Sequence, residues 1–311
     1  LYNGGGDSQD TAQKVAEFSR KEGSPVKCIG IPKTVDNDLP ATDCSPGFGS
    51  VAKYVAISAQ EASLDVASMA ATSTKVFILE VMGRHAGWIA ASSCLGQSSK
   101  GDPPHIILLP EIPFDEEKFL SRVSQSVEKE GYCVVVASEG TRYFDGRFVA
   151  DMGLEDAFGH KQLGGVAPIL AGLVKSRLGY KYHWAVADYL QRSARHIASR
   201  TDVEQAYAVG KEAVLLALSG ETSVMPTIVR TSDEPYRWHV DKVKLSQVAN
   251  KERKVPRSYI NRDGFNISAK GKRYLAPLIF GEEYPSYKDG LPKYTRLKNI
   301  LVEAKLPPFE I

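Results

Sequence analysis

Apolar residues recur along this chain in two alternating spacings. In 10–22, Ala12, Val15, Ala16 and Ser19 share one helical face, and Gly23 and Pro25 stop the segment. The β-rich run 26–31 predicts a strand, and the Ala- and Ser-rich stretch 49–71 predicts a long helix. Residues 75–81 are almost continuously apolar, as expected for a parallel strand covered on both faces. A helix running towards Cys94, a strand at 105–109, a helix at 115–130 closed by Gly131 and a strand at 132–137 follow. Beyond them the pattern predicts a helix at 161–177, a strand at 182–187 and a helix at 201–218. Such alternation predicts an α/β fold with two doubly wound, Rossmann-like parallel-sheet domains.

After about Pro226 the periodicity weakens, and 250–311 predicts an irregular C-terminal extension wrapped on the rest. The expected division is therefore 1–47 rejoined by 191–249, then 48–190, then the extension. Leu1 enters a tight glycine loop within a few residues, so the start of the first domain is expected upstream.

Charge narrows the partners. Lys and Arg number 39 against 37 Asp and Glu, which supports neither a nucleic-acid nor a polybasic membrane partner. No apolar run approaches the roughly 20 residues of a membrane span. Cys28, Cys44, Cys94 and Cys133 lack metal-ligand spacing, and this pattern fits a reducing cytoplasm.

Polar clusters stand at the C-terminal ends of several predicted strands, where open α/β sheets bind ligands. Gly4-Gly5-Gly6-Asp7-Ser8 enters a helix and suits a phosphate, although a simple turn capped by Ser8 is an even alternative. Gly30-Ile31-Pro32-Lys33-Thr34-Val35-Asp36-Asn37-Asp38 gathers a cation, a hydroxyl and two carboxylates. Lys33 could neutralise a transferring phosphoryl group, Asp36 could accept a proton, and Asp38 could orient a metal. Turn formation explains Asp-Asn-Asp equally well taken alone. Arg84 after Met82-Gly83, Glu139 in Ser138-Glu139-Gly140, and Arg192 beside Tyr189 could each contact a sugar or phosphate oxygen. Singly, each reads better as a surface ion pair. Neither His85 nor His183 is assigned a proton-transfer role.

Together, in this order and spacing, these motifs resemble the 6-phosphofructokinase family over roughly residues 1–220, and the tail is similar to that of its bacterial diphosphate-dependent branch. The resemblance implies a glycolytic phosphotransferase that takes fructose 6-phosphate, with Asp36 accepting the proton of the 1-hydroxyl. It places Thr34, Met82, Gly83, Arg84 and Glu139 on the sugar, and Tyr189 and Arg192 on its phosphate. It implies Mg²⁺, with Asp38 in the metal region, and a homo-oligomer, dimer or tetramer, whose site is shared between subunits. Lys75 and His183 stand at about the positions of the neighbour's phosphate-binding residues. The donor domain would be 1–47 with 191–249, and the fructose 6-phosphate domain 48–190.

Donor choice follows from the same comparison. ATP-dependent members resemble Gly-Gly-Asp-Gly-Ser in the first loop and Gly-Thr-Ile-Asp in the second. Here Asp7 replaces a small residue and would repel an inner nucleotide phosphate, while Lys33 replaces a glycine and supplies charge to diphosphate. Gly5 and Gly6 would lie against the donor. Gly6 stands where relatives carry an acidic or amide metal contact, which leaves Asp7 as the substitute. Diphosphate is the expected donor; ATP, or a non-catalytic regulatory subunit that binds sugar phosphates, are the alternatives.

Overall fold

The structure, a computed structural model, describes residues 1–155, 161–303, 305 and 307. A short strand β1 (Tyr2–Gly4) leads into helix α1 (Gly6–Lys21) and strand β2 (Gly30–Pro32), which pairs with β1 in parallel. Helix α2 (Phe48–Met69) precedes strand β3 (Val76–Val81), helix α3 (Trp88–Ser92), strand β4 (Ile106–Leu108), helix α4 (Glu116–Glu130) and strand β5 (Cys133–Ser138). An antiparallel pair, β6 (Asp151–Glu155) and β7 (Lys161–Leu163), comes next. Helix α5 (Val166–Leu178), strand β8 (Tyr182–Val186) and helices α6 (Leu190–Ser193) and α7 (Arg200–Leu218) complete the α/β part.

The main sheet is parallel, with strand order β4-β5-β3-β8. Side chains alternate along a strand, so these apolar runs feed two cores. Leu79, Val81, Ile107, Leu109 and Val136 pack with Phe48 and Val55 of α2 and Trp88 of α3. Val76, Ile78, Ile106, Cys133 and Val135 pack with Phe119 and Val123 of α4 and Leu170 and Val174 of α5. The expected doubly wound arrangement is present here, with helices on both faces. Because α3 follows β3 on one face and α5 follows β5 on the other, their connections part above the sheet. The C-terminal ends of β3 and β5, where ligands bind in open α/β sheets, carry the loops Met82-Gly83-Arg84 and Glu139-Gly140.

Four expectations change. The strand expected at 26–31 is confined to Gly30–Pro32, with Ile29 making only an isolated parallel bridge to Val224; Val26 is exposed and has no core to join. Of the expected helix at 161–177, Lys161–Leu163 is extended, and α5 begins only after Gly165, whose φ of +94° lies outside helical space. Beyond Pro226 the chain is not structureless: β9 (Val224–Asp233) and β10 (Tyr236–Lys244) form a long antiparallel hairpin. β10 alternates from Tyr236 to Asp241, with Tyr236, Trp238 and Val240 packed on the core and Arg237, His239 and Asp241 exposed. Finally, the stretch after residue 250 is part of the core as well as a wrapping. Val255, Ile260, Ile267 and Leu278 are buried, and helix α8 (Ala269–Leu275) carries buried Tyr274 and Leu275.

Candidate active site

Helix α1 starts at once after β1, with Gly5 in extended conformation as its N-cap and no described side chain capping it. Its first-turn N–H groups are therefore available to an anion. The buried Gln9 side chain donates to the carbonyls of Gly4 (2.8 Å) and Ile31 (3.0 Å), fixing the ends of β1 and β2 together. This places Gly5, Gly6, Asp7 and Ser8 on one wall of a cleft of about 570 Å³. Thr34, Asp36 and Asp38 line the same cleft. A Cβ at Gly5 would touch Thr34 at 3.5 Å, whereas one at Gly6 would meet nothing within 4 Å. The Gly6 position thus leaves open volume.

Thr34 and Asp36 form a closed local unit. The Thr34 hydroxyl donates to Asp36 Oδ2 (3.2 Å), and the Asp36 N–H donates to Thr34 Oγ1 (3.1 Å). Burial pushes the Asp36 carboxyl above its ordinary range, opposed by the Thr34 hydroxyl and by the charges of His85, Lys33 and Arg192. Lys33 itself is exposed beside this group. Asp38 is pushed up to about 6, by burial first and then by the neighbouring Asp36 and Glu252 carboxylates. Its Oδ1 is buried with no hydrogen-bond partner among the described residues. An orphaned oxygen among like charges suits a cation. No group of three described His, Cys, Asp or Glu residues could hold one alone, so a cation here would share phosphate oxygens and water, the habit of Mg²⁺.

On the other side stand the ends of β3 and β5. Gly83 (φ +130°) turns the chain where a Cβ would lie 2.6 Å from the Ala86 carbonyl oxygen, and its N–H donates to Glu139 Oε1 at 3.4 Å. Gly140 lets the two loops touch, since a Cβ there would lie 2.1 Å from the Arg84 carbonyl oxygen. Ser138 Oγ donates to the Gly83 carbonyl at 2.5 Å. Burial raises the Glu139 carboxyl, and Arg84 opposes the shift. From the end of β8, Arg192 stacks 4.0 Å over the exposed Tyr189 ring.

Of the residues expected in the site, Gly5, Gly6, Asp7, Thr34, Asp36 and Asp38 line this cleft, whereas Lys33, Met82, Gly83, Arg84, Glu139, Tyr189 and Arg192 do not. Lys33, Arg192 and Glu139 lie close enough for their charges to act on, or be acted on by, Asp36. The two residues assigned to a neighbour lie elsewhere. Lys75 lies just before β3, at the opposite end of that strand from Met82, and donates to the Ala70 carbonyl; His183 is exposed on β8.

Three residues given no role by the sequence pattern also contribute. Gln191 is buried, and its Oε1 accepts the Met82 N–H at 3.3 Å, tying the β8 loop to the β3 loop. His85 lies in the cleft, its Nδ1 2.7 Å from Glu252 Oε1. Arg253 donates to the carbonyls of Asn37, Thr42 and Asp43 at 2.7–3.3 Å and stacks 4.9 Å from Trp88. Its own N–H bonds the Asp38 carbonyl at 2.6 Å. His85 and Gln191 adjoin the candidates Arg84 and Arg192, whereas for Arg253 the local signal was the charged run Lys251-Glu252-Arg253-Lys254, which also reads as a solvated loop.

Comparison with known proteins points the same way. The sequence model described as phosphofructokinase matches residues 1–217. A Halomonas elongata protein named pyrophosphate–fructose 6-phosphate 1-phosphotransferase is 63% identical over 311 residues, covering 100% of this chain and 74% of that protein. A Methylococcus capsulatus protein of the same name is 62% identical over 98% of this chain and 73% of its own length. The crystal structure of a pyrophosphate-dependent phosphofructokinase from Marinobacter aquaeolei matches 100% of this chain and 75% of its own, with 61% identity and a TM-score of 0.91.

Proposed function

The chain belongs to the phosphofructokinase family, and we propose that it transfers a phosphoryl group reversibly from diphosphate to O1 of fructose 6-phosphate, giving phosphate and fructose 1,6-bisphosphate. The observation that carries this reading is the position of Asp36, in a cleft with the α1 loop and within the electrostatic reach of Arg192. A donor at the helix N-terminus and a sugar on the β3 and β5 loops would meet beside that carboxylate.

Phosphoryl transfer needs positioning and charge stabilisation more than covalent chemistry from the protein. Asp36 accepts the proton of the 1-hydroxyl, and the Thr34 hydroxyl orients it. Met82, Gly83, Arg84 and Glu139 hold the sugar, with Tyr189 and Arg192 on its 6-phosphate. Lys33 stands beside Asp36 and favours diphosphate, while exposed Asp7 in the first turn of α1 disfavours the inner phosphate of a nucleotide. Asp38 and Asp7 would hold Mg²⁺, which, when bound, neutralises charge on the transferring phosphate.

We assign 1–47 and 191–249 to the donor side, supported by the pairing of Ile29 with Val224, and 48–190 to the sugar side. A homo-oligomer is supported by the open edge of β8, where Trp184 and Val186 are exposed. Lys75 and His183 would then serve the neighbour's phosphate site. The four free cysteines fit a cytoplasmic enzyme. A coupled assay that offers diphosphate and ATP separately tests the donor: turnover with diphosphate is expected, and turnover with ATP alone would overturn it.

A further inference from the structure

Residues 250–253 cross the mouth of the cleft as a strap, held at three points. Asn250, at a positive φ of 55°, donates through its side chain to Asp10 Oδ1 of α1 at 2.7 Å. Glu252 accepts from or donates to His85 through the 2.7 Å contact at the end of β3, according to the imidazole tautomer and the carboxyl proton. Arg253 is fastened to the loop that carries Asp36 and Asp38. Between the first two anchors Lys251 lines the cleft, and its ammonium makes one long hydrogen bond, 3.2 Å, to the Ser246 carbonyl.

The charge of the lining explains why this matters. Asp7, Asp36, Asp38 and Glu252 all line the cleft, and among the described residues Lys251 is the sole lysine or arginine that lines it. An inorganic diphosphate entering between four carboxylates needs a cation on the wall as well as any metal it brings. Lys33, whose charge acts at Asp36, does not line this space, so the α1 end of the donor is left to another cation.

We propose that Lys251, presented by the strap, is a donor-binding residue that contacts diphosphate at the N-terminal end of α1. Asn250 and Glu252 are positioning residues that hold it there. The ammonium needs to give up only one backbone carbonyl to take a phosphate oxygen. This inference rests on the diphosphate reading above.

The test replaces Lys251→Gln and Lys251→Arg in the full protein and measures KM for each substrate separately, with direct calorimetric binding of methylenediphosphonate alongside. One charge-assisted contact corresponds to about tenfold or more in affinity. The expected result is a rise of that size in KM for diphosphate, and in the analogue's dissociation constant, for K251Q. KM for fructose 6-phosphate should stay unchanged, and K251R should recover most of the loss. An unchanged diphosphate KM, or a shift confined to fructose 6-phosphate, overturns the assignment of Lys251. Wild-type protein that turns over with ATP and not with diphosphate would defeat the underlying donor reading instead.

Discussion

The β3/β5 wall of the cleft grows from a four-stranded sheet whose strand β5 is buried at every position, while the α1 wall grows from two three-residue strands. On the first wall a backbone ladder and two packed cores fix the loops, and glycines let them touch. The second wall is fixed by side chains from distant parts of the chain. Gln9 joins the strand ends, Arg253 collects three carbonyls of the Asp36 loop, and Asp202 of α7 accepts the Gly47 and Ser50 N–H groups at the start of α2 (2.8 and 3.2 Å). One wall is thus rigid through local sequence, and the other through long-range polar bonds. Asp36 stands between them.

That contrast can be broken at its junction first. Asp36→Asn keeps the shape and removes the proton acceptor, so kcat should fall about a thousandfold, within the usual range for a general base. Calorimetry should find fructose 6-phosphate binding within a few-fold of wild type; retained turnover would remove Asp36 from its role. Next, Arg253→Ala leaves buried carbonyls unpaired and should cost about 3 kcal/mol in chemical denaturation. Hydrogen exchange should show the loss concentrated in 33–43, with β3 and β5 unaffected. Gly140→Ala attacks the other wall. Forcing a Cβ against the Arg84 carbonyl should cost about 2 kcal/mol and weaken fructose 6-phosphate more than diphosphate.

The smallest effect has the opposite sign. Asp38 holds its proton more tightly when folded, about 6 against an ordinary 3.8. Between those values the native state binds more protons than the unfolded one, so this group's contribution makes stability fall as pH rises from about 4 to about 6. Asp38→Asn should remove that fall and stabilise the metal-free protein at pH 7 by about 1–2 kcal/mol. Melting curves across pH, with and without Mg²⁺, check it: added Mg²⁺ should raise the midpoint of the wild type and barely move the variant.

The same division governs what could be read from the sequence. The strands of the main sheet were legible because apolar runs such as Val76–Val81 and Cys133–Ser138 stand between glycines and charged ends. Motif residues at those ends, Arg84 and Glu139, were legible with them. Gln9, Gln191 and Arg253 were not, since each acts through a partner 22 to 216 residues away or through a backbone atom no pattern marks. The hairpin of β9 and β10 was missed although β10 carries a period of two: Tyr236, Trp238 and Val240 pack on the core while Arg237, His239 and Asp241 are exposed. That alternation spans only six residues before Lys242 breaks it.

Phosphorus-31 NMR on the wild type tests the central claim most directly, because it follows donor and acceptor in one tube. With diphosphate, fructose 6-phosphate and Mg²⁺, the account predicts one orthophosphate and one new phosphate ester at C1 for each diphosphate consumed. Added phosphate and fructose 1,6-bisphosphate should run the reaction backwards. Two orthophosphates per diphosphate with no sugar bisphosphate, or no consumption of diphosphate at all, would contradict it.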